Sequence, residues 1–152
     1  MHTDLPKADC EKVLAANYYA HLGIYDGKDP HVLPITYLYH NGSIFSFTRE
    51  GNKIDIMRKH PNVCVQVEQV ENGFTWQSVI VWGAFQEVTD PGEAQAMKVK
   101  LAQQFGKITI AERKIPVSPM ISDMHNDQTG IDQSIIYRLK PVRMTGKAAS
   151  IS

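Results

Sequence analysis

The chain has 152 residues, 43% of them hydrophobic and 21% charged, and its sixteen Lys plus Arg balance sixteen Asp plus Glu. A chain of this size fits one domain that buries about two thirds of the surface its unfolded form exposes. The composition excludes intrinsic disorder, and the zero net charge excludes a broad electrostatic attraction to nucleic acid or to an anionic membrane.

Pro6 suits a first helical position, and Cys10, Val13 and Leu14 recur at helical spacing, so a short amphipathic helix is predicted to about Asn17. Tyr19 to Tyr25 reads as a strand, Asp26-Gly27 as a turn, and His31 to Tyr39 as a second strand rich in Val, Ile, Thr and Tyr. Asn41-Gly42-Ser43 matches a glycosylation triplet, but Asn-Gly between two strand-like runs is better explained as a hairpin turn into a third strand, Ser43 to Thr48. Arg49 to Asn52 forms a loop with an N-cap, and Lys53 to Lys59 a short helix stopped by His60-Pro61. Val63, Val65 and Val67 alternate with polar neighbours in a fourth strand, and the run Trp76 to Thr89 is a fifth, in which Gly83 marks a bulge or bend. Asp90, with Glu93 three residues on, caps a helix to about Phe105 that Gly106 ends. Lys107 to Gln133 shows no period and is read as a long loop, and Ser134 to Leu139 is the last strand before Pro141. Six strands without βαβ alternation predict an antiparallel barrel or sandwich in a single domain over 1–152.

Cys10 and Cys64 have no C-x-x-C partner, so both thiols are expected to be reduced. The opening Met-His-Thr-Asp-Leu-Pro-Lys has no apolar signal core, and Val79 to Trp82, the longest purely apolar run, is too short to span a bilayer; a soluble, cytoplasmic protein is the expectation. No G-x-S-x-G, P-loop, H-E-x-x-H or G-x-G-x-x-G motif occurs, and the six histidines lack ligand spacing, so no metal site is expected.

The most informative segment is Phe45 to Lys53, a strand that delivers Thr48 into a Gly loop followed by a helix that begins with a cation. A lysine in the first helical turn opposes the helix dipole by ~0.3–1 kcal/mol, and a bound phosphate would reverse the sign. The alternative is that Lys53 simply points into water at almost no cost. Arg58 lies about 140° round the helix from Lys53 and is read as a solvated charge. Pro34 cannot donate to a ladder, which leaves backbone groups near it either to a ligand or to a plain strand edge. Ser78 either reaches a ligand or belongs to a core strand with Val79 and Val81.

In order and spacing, the segments Asp29 to Phe45, Gly51 to Arg58, Pro61 to Val63 and Ser78 to Gly83 resemble the flavin-binding split-barrel family that includes pyridoxamine-5′-phosphate oxidase. Within that family the small nitroimidazole-resistance-type flavoproteins are most similar. The resemblance implies a six-stranded antiparallel split β-barrel, mainly β with flanking helices, a homodimer, and one FMN in each of two clefts between subunits. It sets the flavin ring against Leu33, Pro34, Ile35 and Thr36, and gives the phosphate to Thr48 and Lys53. Phe47 and Asn52 lie in the same phosphate stretch, Asn52 standing where several members carry histidine, and Ser78 matches a polar residue that reaches the ring or ribityl chain. The implied function is an FMN-dependent oxidoreductase that passes hydride from a nicotinamide nucleotide to a small acceptor, with no catalytic acid or base identifiable. The alternative is a non-catalytic protein that binds flavin, pyridoxal phosphate or haem in the same cleft.

Overall fold

The computed structural model describes residues 2–112 and 134–150, without the side chains of 107–112. In chain order the elements are β1 (His2–Asp4), α1 (Lys7–Ala16), β2 (Tyr19–Tyr25), β3 (Pro30–Thr36), β4 (Leu38–His40), β5 (Ser43–Thr48), α2 (Asn52–Lys59), β6 (Asn62–Asn72), β7 (Thr75–Glu87), α3 (Pro91–Glu112) and β8 (Ile135–Ala149). The strands form one curled antiparallel sheet in the order β3-β2-β6-β7-β8-β5-β4, with β1 added to β8. This is the mainly β split barrel expected, with more strands.

Period-2 alternation decides which face of each strand is buried. Leu22 on β2, Val65 and Val67 on β6, and Val79 and Val81 on β7 all point inward and are at most 1% exposed. α1 closes this interior with Cys10, Val13 and Leu14, and α2 contributes Met57. Each such side chain contributes ~1.5–3 kcal/mol through removal from water. β5 is buried on both faces: Ile44 joins the interior, while Phe45 and Phe47 pack outward under α3 with Leu101 and Phe105 in a second core.

Among the described residues there are eight strands where six were expected, for local reasons. The run His31 to Tyr39 divides at Tyr37, whose N–H donates to the Tyr18 carbonyl at 2.9 Å and whose hydroxyl donates to the Leu14 carbonyl at 2.8 Å, out of the ladder. β8 does not stop before Pro141 but runs on to Ala149, where β1 joins it. The proline is tolerated because the register with β7 shifts between Trp82 and Gly83, opposite it. Gly83 is required there, since a Cβ would collide with the Lys140 carbonyl.

The turn at Asn41-Gly42 has both residues at positive φ, 49° and 74°, as a tight hairpin between β4 and β5 demands. Asp90 caps α3 as expected, its carboxylate accepting the Glu93 N–H at 2.8 Å. α3 nevertheless continues through Gly106 to Glu112. A mid-helix glycine costs only ~1 kcal/mol relative to alanine, which is too little by itself to end a helix. The predicted loop from Lys107 is therefore helical at its start, and its remainder, 113–133, lies outside the described residues. α2 is capped by Gly51 rather than by a side chain of the loop. No helix among the described residues is long and apolar enough to cross a membrane.

Candidate functional site

β3 is the terminal strand of the sheet, so the edge-strand reading of Pro34 holds. Alternation turns Leu33 and Ile35 towards the interior and leaves Pro34 exposed on the outer face, so that β3 offers a ligand chiefly its backbone. Thr36, at the end of β3, is fully buried, and its hydroxyl has no hydrogen-bond partner among the described residues. A polar atom left in this state costs ~1–3 kcal/mol, which a ligand atom would relieve. The Thr36 carbonyl accepts the Ser46 hydroxyl at 2.6 Å, which ties the end of β3 to β5 across the split in the barrel.

Thr48 follows Ser46 by two residues, about 7 Å along β5 on the same face. It is buried, and its hydroxyl donates to the Arg49 carbonyl at 3.2 Å. Phe47 faces the other way, edge-to-face with Phe105 at 5.4 Å, so its side chain belongs to the second core and only its backbone lies on the Thr48 side. The loop then enters α2, whose N-cap Gly51 makes no side-chain cap bond. Asn52 is exposed, and Lys53 is half-buried in the first turn, where desolvation lowers its pKa. Helix geometry leaves the first-turn N–H groups without intrahelical acceptors, so backbone donors and an ammonium converge at this end of α2.

Arg58 is not the solvated charge expected from its place on the helix. Its guanidinium donates to both Glu50 oxygens at 2.9 Å and to Glu87 Oε1 at 2.8 and 3.1 Å, and lies 3.6 Å from Asp55. These hydrogen bonds raise the Arg58 pKa, and the one from Arg58 lowers that of Glu50. The fork pins the loop before α2 to the end of β7, at the C-terminal end of the helix where a cation is favoured.

Ser78 lies apart from this group, three strand spacings or about 14 Å from β3 across the sheet. It shares the outer face with Pro34 and accepts a hydrogen bond from Gln66 Nε2 at 3.0 Å, while Gln66 Oε1 meets His21 Nδ1 at 3.2 Å. The Ser46 hydroxyl ties Thr36 to β5, Thr48 lies two residues further along that strand, a short loop leads from it to Asn52 and Lys53 at the start of α2, and Ser78 stands on a polar wall of the outer face. Sequence reasoning missed Ser46, Arg58 with its carboxylates, and the His21–Gln66–Ser78 row; the row's only local signal was alternation, which cannot say which strands adjoin.

Cavities open on the outer face among the described residues. One, of about 470 Å³, is lined by Asn17, Tyr18, Tyr19, His21 and Glu68. Another, of about 480 Å³, is largely apolar, with Tyr25, Val32, Cys64, Trp82 and Val142 among its walls. Val32 and Val142 are 71% and 82% exposed there. Among the described residues no group of three or more His, Cys, Asp or Glu could hold a metal ion.

A protein-family model described as pyridoxamine 5'-phosphate oxidase matches residues 6–148. An uncharacterized protein, RA0666, of Rhizobium meliloti strain 1021 is 33% identical over 84 residues. That match covers 55% of this chain and 56% of the relative, so the chain spans little more than half the length of the curated protein it matches. The crystal structure of a FAD-binding protein from Mesorhizobium loti superposes with a TM-score of 0.77 at 26% identity, covering 99% of each chain. A candidate 5-nitroimidazole antibiotic resistance protein of Bacteroides thetaiotaomicron shares the fold at a TM-score of 0.66 and 18% identity, over 97% of this chain and 87% of its own.

Proposed function

The chain belongs to the pyridoxamine 5'-phosphate oxidase family, and from that premise we propose that it is a homodimeric FMN-dependent oxidoreductase that moves electrons from a nicotinamide nucleotide to a small acceptor. Two observations carry the reading: a desolvated ammonium, Lys53, in the first turn of a helix whose cap is glycine, and a buried Thr36 hydroxyl that lacks a hydrogen-bond partner among the described residues. Both features fit a phosphorylated, hydrogen-bonding ligand. The FAD-binding relative from Mesorhizobium loti supports a flavin.

When bound, a flavin supplies hydride and single-electron transfer at its isoalloxazine ring. The residues of this chain bind and orient it. Lys53 and the first-turn N–H groups of α2 neutralise the phosphate, and Thr48 adds a hydroxyl to it. The exposed edge of β3, from Leu33 to Thr36, presents backbone groups to the polar edge of the ring. Phe47 fixes the height of β5 from behind by packing on Phe105. A second copy of the chain covers the apolar outer face, where Val32 and Val142 are too exposed for a stable monomer surface.

Purified protein is expected to be yellow, to release FMN rather than FAD on denaturation, and to bleach on anaerobic addition of NADPH or NADH. Lys53→Ala is expected to lose the colour. Colourless protein that ignores added FMN in a titration overturns the reading. Bound flavin that neither nicotinamide donor reduces would leave a binding protein and remove the enzyme. Elution from a sizing column as a 17.1 kDa species would remove the dimer.

A further inference from the structure

The chain passes from one edge of the sheet to the other through a single residue. β3 ends at Thr36 on the first edge, β4 begins at Leu38 on the last, and Tyr37 lies between them. Hydrogen bonds hold this crossing on both sides. Towards α1 and β2, the Tyr37 N–H donates to the Tyr18 carbonyl at 2.9 Å and the Tyr37 hydroxyl to the Leu14 carbonyl at 2.8 Å. Towards β5, the Ser46 hydroxyl donates to the Thr36 carbonyl at 2.6 Å. Ser46 is fully buried and is seated by register, with Tyr137 opposite it on β8 and Thr48 next along its own face of β5.

No ladder joins β3 to β5 among the described residues: β3 pairs with β2, and β5 with β4 and β8. The ladder that follows the crossing runs only from Leu38↔Phe45 to His40↔Ser43, too short to fix alone the angle at which β3 meets β5. The bond from Ser46 supplies that constraint, and unlike a ladder it depends on one side chain. In the flavin reading, the two strands so tied serve opposite ends of one ligand. Leu33 to Thr36 on β3 take the ring, and Thr48 with Lys53, reached from β5, takes the phosphate. Once one end of a ligand is held, the other meets its site at an effective concentration set by the spacing between the two sites. A loose spacing forfeits that gain even when each site is intact.

We propose that Ser46 is a positioning residue that sets the span between β3 and the start of α2, and thereby confers a preference for phosphorylated over unphosphorylated flavin. The proposal rests on the flavin reading. Loss of the hydroxyl leaves each half of the site in place. β3 keeps its register with β2 from Tyr25↔Pro30 to Tyr19↔Thr36, and Arg58 keeps the loop before α2 on Glu50 and Glu87. What is lost is the fixed relation between the halves.

The test titrates full-length protein with FMN and, separately, with riboflavin, read by flavin fluorescence. Wild-type protein is expected to prefer FMN. Ser46→Ala is expected to weaken FMN binding about three- to tenfold, the range one neutral hydrogen bond spans, and riboflavin binding less than about twofold. Ser46→Cys, which keeps a weaker donor at that position, is expected to lose less FMN affinity in the same direction, and it carries the test if the alanine variant does not fold. In a Lys53→Met background, where the phosphate end is already weakened, Ser46→Ala is expected to cost FMN less than about twofold, because contacts that act as a unit are not additive. An equal loss for FMN and riboflavin, no loss for FMN, or an undiminished effect in the Lys53→Met background overturns the proposal. The wild-type titrations report on the flavin reading separately. Wild-type protein that binds neither flavin removes that reading and this role with it, whereas a preference for FMN that survives Ser46→Ala and Ser46→Cys removes this role alone.

Discussion

The two faces of β2, β6 and β7 are built from neighbouring residues and do opposite things. Leu22, Val65 and Val79 point inward and are at most 1% exposed; His21, Gln66 and Ser78, each one position away, form a hydrogen-bonded row outside. A strand has a side-chain period of two, so one register holds both sets in place, and a slip by one residue would exchange them. The inner face supplies the rigidity that lets the outer face hold polar groups at fixed separations. The comparison predicts that inner substitutions change stability, and that substitutions on the outer face and at the start of α2 change ligand binding.

The largest expected effect is on the inner face. Leu22→Ala removes a side chain at 1% exposure and should cost ~2–5 kcal/mol in urea unfolding. Gln66→Ala, its outer-face counterpart, should cost under ~1 kcal/mol. Similar losses for the two would break the comparison. Next comes the start of α2, where Lys53→Met should weaken FMN binding by about tenfold or more, as expected for loss of a charge-assisted contact. In the flavin-free protein it should cost less stability than Leu22→Ala, because burial already disfavours the ammonium. A loss as large as that for Leu22→Ala would make Lys53 structural. Arg58→Met should act in the same direction on FMN binding through the loose Glu50 loop, by well under about tenfold, since partly exposed ion pairs are weak. Glu50→Gln should reproduce most of it, and an undiminished effect of Arg58→Met in the Glu50→Gln background would show that the fork does not position the loop.

The sequence makes the inner face legible and the outer one only partly so. Alternation alone finds β2, β5, β6 and β7, and helix electrostatics alone singles out Lys53 before any neighbour is known. β8 is cut short on paper because Pro141 reads as a stop, and the bulge at Gly83 that admits it is a property of the partner strand. Arg58 looks solvated because Glu50 and Glu87, 8 and 29 residues away, are brought to it by the turn into α2 and the end of β7. The His21–Gln66–Ser78 row needs the strand order β2-β6-β7, which no local pattern contains. The tie between Thr36 and Ser46 is invisible for a related reason: it joins β3 to β5, which are not neighbours in the sheet.

One residue tests whether the inner face must be apolar. Tyr137 points inward opposite Ser46, whose hydroxyl is committed to the Thr36 carbonyl, and the buried Tyr137 hydroxyl has no hydrogen-bond partner among the described residues. Burial pushes its pKa up to about 12, with the adjacent Ser46 acting slightly in the other direction. The native state therefore holds the phenol neutral while an unfolded tyrosine ionises near ~10. Below about pH 10 its contribution to stability is fully present; between about pH 10 and about 12 the unfolded state loses a proton the native state keeps, and stability falls by ~1.4 kcal/mol per pH unit. Tyr137→Phe should remove that part of the alkaline decline and leave the part due to Tyr37, whose pKa burial also raises. At neutral pH the same change should shift stability by less than ~1 kcal/mol, because no bond is lost, whereas Tyr37→Phe gives up the bond to the Leu14 carbonyl and should cost about 1 kcal/mol. Equilibrium unfolding of both variants at pH 7 and across the alkaline range measures the difference. A loss for Tyr137→Phe as large as that for Leu22→Ala would mean that the hydroxyl has a partner inside the barrel, and that the inner face also takes part in binding.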